Sequence, residues 1–371
     1  MGTGTLLIGF VGDIALTHGY DGLYRTRGPH YPFAPMERLL KRHDVLVGNL
    51  EAPFCLGGET YPMKLGLRSH PGYAEGLKGA GFSVLTLGNN HVLDYLEQAL
   101  FETLGIIDKS GLVRCGAGAD LREARRPALI GRKGVTVGVL SCCDVAIDSP
   151  FYAAEGVRGI APLDMEVLEE DIRALRREAD IVVVSPHWGK EDWRYPHPVQ
   201  VEQARRMIDC GAHLVVGHHP HVLQGVERYG HGFIAYSLGN FLFPDLQWEW
   251  RNAQGEPMRA RMRQGRARRR GALLSVEAGK DGVRRVELVP CRTGSDLRAR
   301  PEGRAGGTGL LSLPLGMKHY PELWALYDRM KSVSVVAAGN ARRLRNIRKL
   351  RPAHLRELAG LLRGLMGREA P

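Results

Sequence analysis

The chain has 371 residues, of which 44% are hydrophobic and 25% are charged, as in an ordinary soluble globular protein. Its net charge of +11 is unevenly spread: residues 1–250 contain 24 Lys+Arg and 30 Asp+Glu, whereas residues 251–371 contain 27 and 10. This distribution excludes a uniformly basic, nucleic-acid-binding chain and indicates an acidic body with a basic C-terminal part.

The first residues and the cysteines bear on where the protein works. The N-terminal apolar run has no basic region before it and is interrupted by Asp13, so we expect neither a signal peptide nor a membrane anchor. The six cysteines have no CxxC spacing, which favours reduced, mostly buried thiols. These features predict a cytoplasmic protein.

The first 240 residues alternate short apolar runs with helical patterns. We predict strands at 5–12, 44–49, 82–88, 135–141, 180–186 and 213–217. Helices are predicted near 34–42, 71–80, 92–109, 163–178 and 199–210. Continuous apolar strands between helices are typical of a largely parallel, helix-covered sheet.

The rest of the chain has a different character. Residues 222–240 predict a hairpin, and 271–278 and 283–290 predict an antiparallel second sheet. The Arg-rich stretch 258–271 is interpreted as a basic loop or frayed helix, 301–310 as a Gly-rich linker, and 319–331 and 341–365 as helices. We therefore expect a catalytic domain over 1–295 and a basic, mostly helical extension over 296–371.

Polar side chains follow five of the predicted strands. They are Asp13; Asn49 and Glu51; Asn89, Asn90 and His91; His187; and His218, His219 and His221. Taken singly, each has an ordinary explanation as a turn residue, helix cap or buried imidazole. Ligands bind beyond the carboxyl ends of strands in α/β sheets, and carboxylates, amides and imidazoles are divalent-cation ligands. Their joint occurrence indicates a metal site.

The order of these motifs resembles one family. The runs GD, NLEAP, NNHxxD, HWG, GHHPHV and YSLGNF, within residues 5–245, look like those of the CapA family of capsule poly-γ-glutamate synthesis proteins. Their fold is similar to that of the calcineurin-like metallophosphoesterases. The resemblance therefore implies an α/β fold, a β-sheet sandwich flanked by helices.

The resemblance also implies a ligand set. By position in the motifs, the metal ligands are Asp13, Glu51 (less favoured, Asn49), Asn90, His187, His219 and His221. Two departures weaken a two-metal site: Ala15 replaces the histidine of an Asp-x-His motif, and GNLE replaces a bridging aspartate. We therefore expect one divalent cation, with Ca, Mg or Mn favoured and Zn also compatible.

Proton transfer is the chemistry that the histidines favour. Asp94 follows His91 by three residues, which on a helix places both on one face, and Asp13 with His219 or His221 would form a second pair. Two such pairs beside a cation predict Cα epimerisation of a residue in a ribosomally made precursor peptide, as in CapA-like enzymes that tailor lasso peptides. The catalytic residues would then be His91, Asp94, Asp13 and His221.

Other functions remain open. One alternative is a poly-γ-glutamate synthesis or hydrolysis protein or a metallophosphoesterase, and another is a non-catalytic module that holds an acidic chain. The basic part would either bind an acidic precursor peptide or form a solvated charged face; nucleic acid is not expected, because 258–270 has no aromatic residue. The residues expected to contact substrate are Asn49, Asn89, His218, Trp188, Trp193 and Asn240. The oligomeric state is not indicated.

Overall fold

The computed structural model of the protein describes residues 4–61, 66–145, 151–251, 257–302 and 320–339. The strands are β1 (Leu6–Ile14), β2 (Val45–Leu50), β3 (Val84–Thr86), β4 (Val113–Cys115), β5 (Ala117–Gly118), β6 (Ala128–Arg132), β7 (Val135–Cys143), β8 (Gly159–Ile160), β9 (Ile181–His187), β10 (Leu214–Val216), β11 (Val226–Tyr229), β12 (Gly232–Ala235), β13 (Asn240–Leu242), β14 (Leu246–Arg251), β15 (Pro257–Met262), β16 (Arg270–Gly279), β17 (Gly282–Thr293) and β18 (Ala299–Pro301). The helices are α1 (Gly19–Arg27), α2 (Glu37–Leu40), α3 (Tyr73–Ala80), α4 (Leu96–Lys109), α5 (Leu121–Arg125), α6 (Met165–Leu175), α7 (Pro198–Asp209) and α8 (Tyr320–Gly339).

The strands form two large sheets. The first has the order β18-β17-β16-β1-β2-β3-β4, with β13 also paired to β1, and the second has the order β11-β12-β10-β9-β7-β6. In the first sheet β1 to β4 are parallel and the antiparallel strands β16 to β18 lie on the β1 side. In the second sheet β7, β9, β10 and β12 are parallel, and the edge strands β6 and β11 are antiparallel. The expectation of one parallel sheet was wrong, because β1–β3 lie in the first sheet and β7, β9 and β10 in the second. The antiparallel strands β16 and β17 form no sheet of their own, because β16 pairs with β1.

Apolar side chains from both sheets meet in one core. Ile8 and Phe10 of β1 are buried in the same cluster as Val137 of β7, Val183 of β9 and Leu274 of β16. Each such side chain contributes about 1.5–3 kcal/mol when fully buried. The two sheets are therefore held face to face by the hydrophobic effect.

Helices cover the outer faces of the sandwich. Leu46 and Leu85 of the first sheet belong to a second core cluster with Leu77 of α3 and Leu100 of α4. On the second sheet, the Leu175 side chain of α6 lies against β7 at Gly138, which has no side chain of its own to fill that space. The structure confirms the predicted α/β fold, a β-sheet sandwich flanked by helices.

Two local predictions were wrong near the strand ends. Residues 91–95 form turns and α4 begins at Leu96, so His91 and Asp94 are brought together by a turn in which the Asp94 N–H donates to the His91 carbonyl at 3.0 Å. The Arg-rich stretch is no frayed helix, because β15 pairs antiparallel with β14 from Leu246↔Met262 to Arg251↔Pro257. We call these two strands the arginine hairpin.

The contact pattern divides the chain into two units, residues 1–317 and 318–371. Strand β18 pairs with β17 in the first unit, and the predicted boundary at 295/296 stays a prediction. In the second unit, α8 contains the helix expected at 319–331, whereas the helix expected at 341–365 and most of the linker lie outside the described residues. Within the described ranges, no helix has the length and hydropathy needed to cross a membrane. All six cysteines are described and are free thiols, as predicted.

Candidate metal centre

Strand pairing brings the polar strand ends together. In the ladders of β1, Asp13 is opposite Asn49 of β2 on one side and Asn240 of β13 on the other, and His187 forms an isolated bridge with His218. The close approach of β13 depends on Gly12, where a Cβ atom would lie 1.9 Å from the Gly239 carbonyl oxygen. Residues far apart in sequence therefore meet at one edge of the sandwich.

Asp13 is buried at this edge and contacts several of the other polar residues there. Its carboxylate accepts hydrogen bonds from Asn49 Nδ2 at 2.9 Å and from the His219 backbone N–H at 3.3 Å, and it contacts Nδ1 of His218 at 3.1 Å and of His221 at 3.3 Å. Burial opposes ionisation, but the contacts with His218 and His221 outweigh it and hold the pKa of Asp13 well below its usual range. Asp13 is therefore a carboxylate.

Glu51 has the opposite environment. It is fully buried, and neither carboxylate oxygen has a hydrogen-bond partner among the described residues. Its Oε1 atom lies 3.5 Å from His221 Nε2 and 3.8 Å from His91 Nε2. Burial raises the pKa of Glu51 well above its usual range. A buried carboxyl group without hydrogen bonds is costly, which indicates that a cation belongs beside it.

The loop after β10 presents two histidines from an unusual backbone. His219 and His221 have φ values of 94° and 57°, in a region that residues other than glycine rarely adopt and that is concentrated at functional sites. Burial and the nearby charge of His221 lower the pKa of His219 to about 3. Burial also disfavours the charged form of His221, but Glu51 and Asp13 raise its pKa to about 9. The two imidazoles therefore differ in charge state before any cation binds.

His187 and Asn90 lie beside this loop. The His187 Nε2–H group donates to Asn90 Oδ1 at 2.9 Å, and the ring centroid of His187 is 4.9 Å from that of His219. Burial and the neighbouring imidazole of His219 lower the pKa of His187 well below its usual range. In the metal-free protein the imidazole and the amide oxygen are therefore bonded to each other, and a cation would have to displace the Nε2 proton to bind both.

His91 and Asp94 form the expected pair at the edge of the centre. His91 Nδ1 lies 2.7 Å from Asp94 Oδ2, an oxygen that also accepts the Leu67 backbone N–H at 2.8 Å. Because Nδ1 is engaged by Asp94, the other ring nitrogen is directed towards Glu51. Nε2 is therefore the His91 nitrogen that faces the centre.

These residues fit a divalent cation. Asp13, Glu51 and His221 offer ligand atoms within 4.8 Å of one another, and so do Glu191, His219 and His221. Two atoms that bind one metal at about 2.1 Å are about 3–3.5 Å apart. Glu51 Oε1 has this spacing from His221 Nε2, whereas Asp13 approaches the other nitrogen of the same ring, Nδ1. The unpartnered oxygens of Glu51 supply the charge that such an ion requires.

Five of the six residues expected to contact substrate do not face solvent. Asn49, Asn89, His218 and Asn240 are buried and hydrogen-bond within the site; for example, Asn240 Oδ1 lies 3.0 Å from His221 Nδ1. They orient the ligands and line no open surface. Trp188, also expected to contact substrate, has a fully buried indole that donates to the Tyr236 carbonyl at 3.0 Å.

Trp193, by contrast, is partly exposed on the loop after β9. The same loop carries two residues that the sequence analysis missed, Glu191 and Asp192. Both accept hydrogen bonds from the buried Arg268 guanidinium, at 2.6 Å and 2.7 Å. Only the position of Glu191, four residues after His187, offered a signal in the sequence.

The protein is a two-sheet α/β sandwich with a candidate metal centre at its strand ends. The chain belongs to the family described as bacterial capsule synthesis protein PGA_cap, whose model matches residues 7–245. It is similar to the PGA biosynthesis protein CapA of Bacillus subtilis, with 33% identity over 284 residues, which are 76% of this chain and 70% of the relative. It is also 34% identical to the capsule biosynthesis protein CapA of Bacillus anthracis over 251 residues, 66% of this chain and 61% of that protein.

Solved structures show a likeness of fold only. A phosphatase from Mycoplasma pneumoniae has 13% sequence identity and a TM-score of 0.46, over 78% of this chain and 94% of that chain. The predicted family is confirmed by the family model and by the two curated relatives. The names of the relatives favour the polyglutamate alternative over the predicted Cα epimerisation, which the comparisons do not support.

Proposed function

We propose that this protein is a metal-dependent hydrolase of capsule polymer synthesis that cleaves γ-glutamyl amide bonds of poly-γ-glutamate. The observation that carries the proposal is the buried carboxylate of Glu51, which has no hydrogen-bond partner in the described part of the chain and faces His91 and His221. This arrangement supports cation binding beside a proton-transfer group, which is the combination that metal-dependent hydrolases use. The names of the relatives suggest the polymer.

Asp13, Glu51 and His221 would hold the cation, with Asn90, His187 and His219 next to them. A bound divalent cation would supply Lewis-acid polarisation of the amide carbonyl. The mixture of carboxylate, amide and imidazole donors suits Mn, Mg or Ca and also accommodates Zn.

His91 is the residue that we assign to proton transfer. Asp94 fixes the orientation of the ring and favours the tautomer with the proton on Nδ1, so that Nε2 faces the centre. From there His91 can accept a proton from the attacking water and give it to the departing amine. Asp94 in turn accepts a hydrogen bond from the Leu67 backbone N–H, which fixes the position of the His91–Asp94 pair relative to Glu51.

The arginine hairpin gives the site its preference for an acidic chain. Four exposed arginines lie on it or within four residues after it: Arg259, Arg261, Arg263 and Arg266. Arg259 and Arg261 also form exposed ion pairs with Glu249 and Asp245, which water and salt weaken. The hairpin lies beside the centre, because Leu246 of β14 packs in one apolar cluster with Ala15 and Ala52. We expect its positive charge to attract polyglutamate and this attraction to weaken as salt is added.

The test uses the full chain, stripped with a chelator and reloaded with Mn²⁺, Mg²⁺, Ca²⁺ or Zn²⁺. Each form is incubated with poly-γ-glutamate, α-linked polyglutamate and p-nitrophenyl phosphate, and chain length and phosphate release are measured. We expect metal-dependent shortening of the γ-linked chain only. His91→Gln should slow cleavage about 10²- to 10⁴-fold at unchanged metal content.

Other outcomes reject the proposal in defined ways. Phosphate release without chain shortening would identify a phosphoesterase. Deuterium incorporation at Cα of a peptide in heavy water, without cleavage, would restore epimerisation. If the protein binds metal but turns over none of the substrates, and His91→Gln behaves in the same way, the protein is a non-catalytic binding module.

A further inference from the structure

The loop after β9 carries a carboxylate that the proposed function does not use. Glu191 belongs to a group with His219 and His221 in which one ligand atom from each residue lies within 4.8 Å of the others. The Glu191 side chain is 42% exposed, whereas both histidines are buried. Glu191 therefore stands on the solvent side of the histidine pair.

An unsatisfied nitrogen lies in this group. His219 Nδ1 is buried and has no hydrogen-bond partner among the residues that the structure describes. A buried imidazole nitrogen without a hydrogen bond is a candidate metal ligand. This is an observation independent of the carboxylate and points to a cation between His219 and Glu191.

Glu191 is held in place from two directions. Arg268 Nη2 donates to Glu191 Oε2 at 2.6 Å, and the Asp192 N–H donates to the carbonyl of Pro220, which lies between the two histidines in the chain. The Arg268 carbonyl also accepts Asn240 Nδ2 at 2.9 Å. A carboxylate fixed in this way has little freedom left to lose when it binds an ion.

We propose that Glu191 is a ligand of the metal centre, binding from the solvent side together with His219 and His221. It supplies a third carboxylate next to Asp13 and Glu51, in a chain where position 15 is an alanine without a donor atom. This inference rests on the metal dependence in the proposed function but not on the identity of the substrate. The ligand class is a divalent cation that accepts mixed oxygen and nitrogen donors.

Asp192 provides a matched control. It follows Glu191 directly and accepts hydrogen bonds from the same Arg268, but it is not part of either metal-ligand group. Asp192→Asn and Glu191→Gln each remove one negative charge next to Arg268. A general electrostatic effect would therefore appear in both variants, and a coordination effect in one.

The experiment titrates metal-free full-length protein with MnCl₂ and CoCl₂ by calorimetry and follows the visible absorption of bound Co²⁺. We expect Glu191→Gln to raise the Kd at least tenfold or to lower the number of bound ions by one, and to shift the Co²⁺ bands. Asp192→Asn should stay within twofold of wild type. Without metal, the two variants should have the same thermal unfolding midpoint, which excludes misfolding as the cause of a difference in metal binding.

A Glu191→Gln protein with wild-type affinity, stoichiometry and Co²⁺ bands would overturn the inference. Equal weakening in both variants would overturn it too, because charge rather than coordination would then explain the loss. The proposed function fails separately, if wild-type protein binds metal but does not cleave poly-γ-glutamate.

Discussion

Replacing Glu51 by glutamine tests the cation site without any substrate. In metal-free protein the Glu51 carboxylate is buried and unbonded in the described structure, so a neutral amide should leave the free energy of unfolding equal or higher. In metal-loaded protein the same change removes a ligand. The effect of E51Q on stability should therefore change sign when metal is added.

The magnitude follows from binding linkage. A metal at 100 times its Kd stabilises the wild-type fold by about 2.7 kcal/mol. If losing one of the carboxylates in the Asp13, Glu51 and His221 group weakens binding about 100-fold, the variant at the same metal concentration gains about 0.4 kcal/mol. We expect a difference of about 2 kcal/mol between the two metal-induced increments, measured by urea unfolding with and without MnCl₂.

Asp94→Asn is the matched control, because Asp94 is equally buried but hydrogen-bonded. Its carboxylate accepts from Leu67 N–H and contacts His91 Nδ1, so its loss should cost about 1–3 kcal/mol in metal-free protein and leave the metal increment intact. The reasoning fails if E51Q destabilises metal-free protein as much as D94N does. It fails equally if metal stabilises E51Q as strongly as wild type.

Two further predictions concern the scaffold. Burial lowers the pKa of His213 to about 4, from 6.5 when unfolded, so its contribution is complete above pH 6.5 and is lost as the pH falls from 6.5 towards 4. His213→Gln should remove about 3 kcal/mol of the acid-induced fall in unfolding free energy, and an unchanged pH profile would contradict this. Gly12→Ala should destabilise the fold by about 3 kcal/mol, because the new Cβ atom would meet the Gly239 carbonyl oxygen. Gly22→Ala is the control: its Cβ atom would lie in open space, so its effect on stability should be neutral or favourable. Equal thermal unfolding midpoints for the two variants would refute the argument.

Part of the candidate site could be predicted from residue type and spacing. Parallel strands end at a common edge, so the positions of Asp13 and Asn90 after two strands of the first sheet were enough to place them together, whereas His187 follows a strand of the second sheet and reaches them only because the two sheets pack face to face. The three-residue interval between His91 and Asp94 was short enough to bring them together, although a turn and not a helix does so. Such short-range predictions hold because two residues three or four positions apart can adopt few arrangements that keep their side chains separate.

Residue types and their spacing were enough to predict the α/β class, the candidate ligand residues and the family. The tertiary structure decided which sheet each strand joins, because an apolar strand such as β7 or β16 has the same pattern in either sheet and only long-range pairing distinguishes them. It also decided that Trp188 is a core residue and that Glu191 faces the histidines through its contact with Arg268. Burial and pairing across many residues depend on all the packed neighbours together, so no local pattern specifies them.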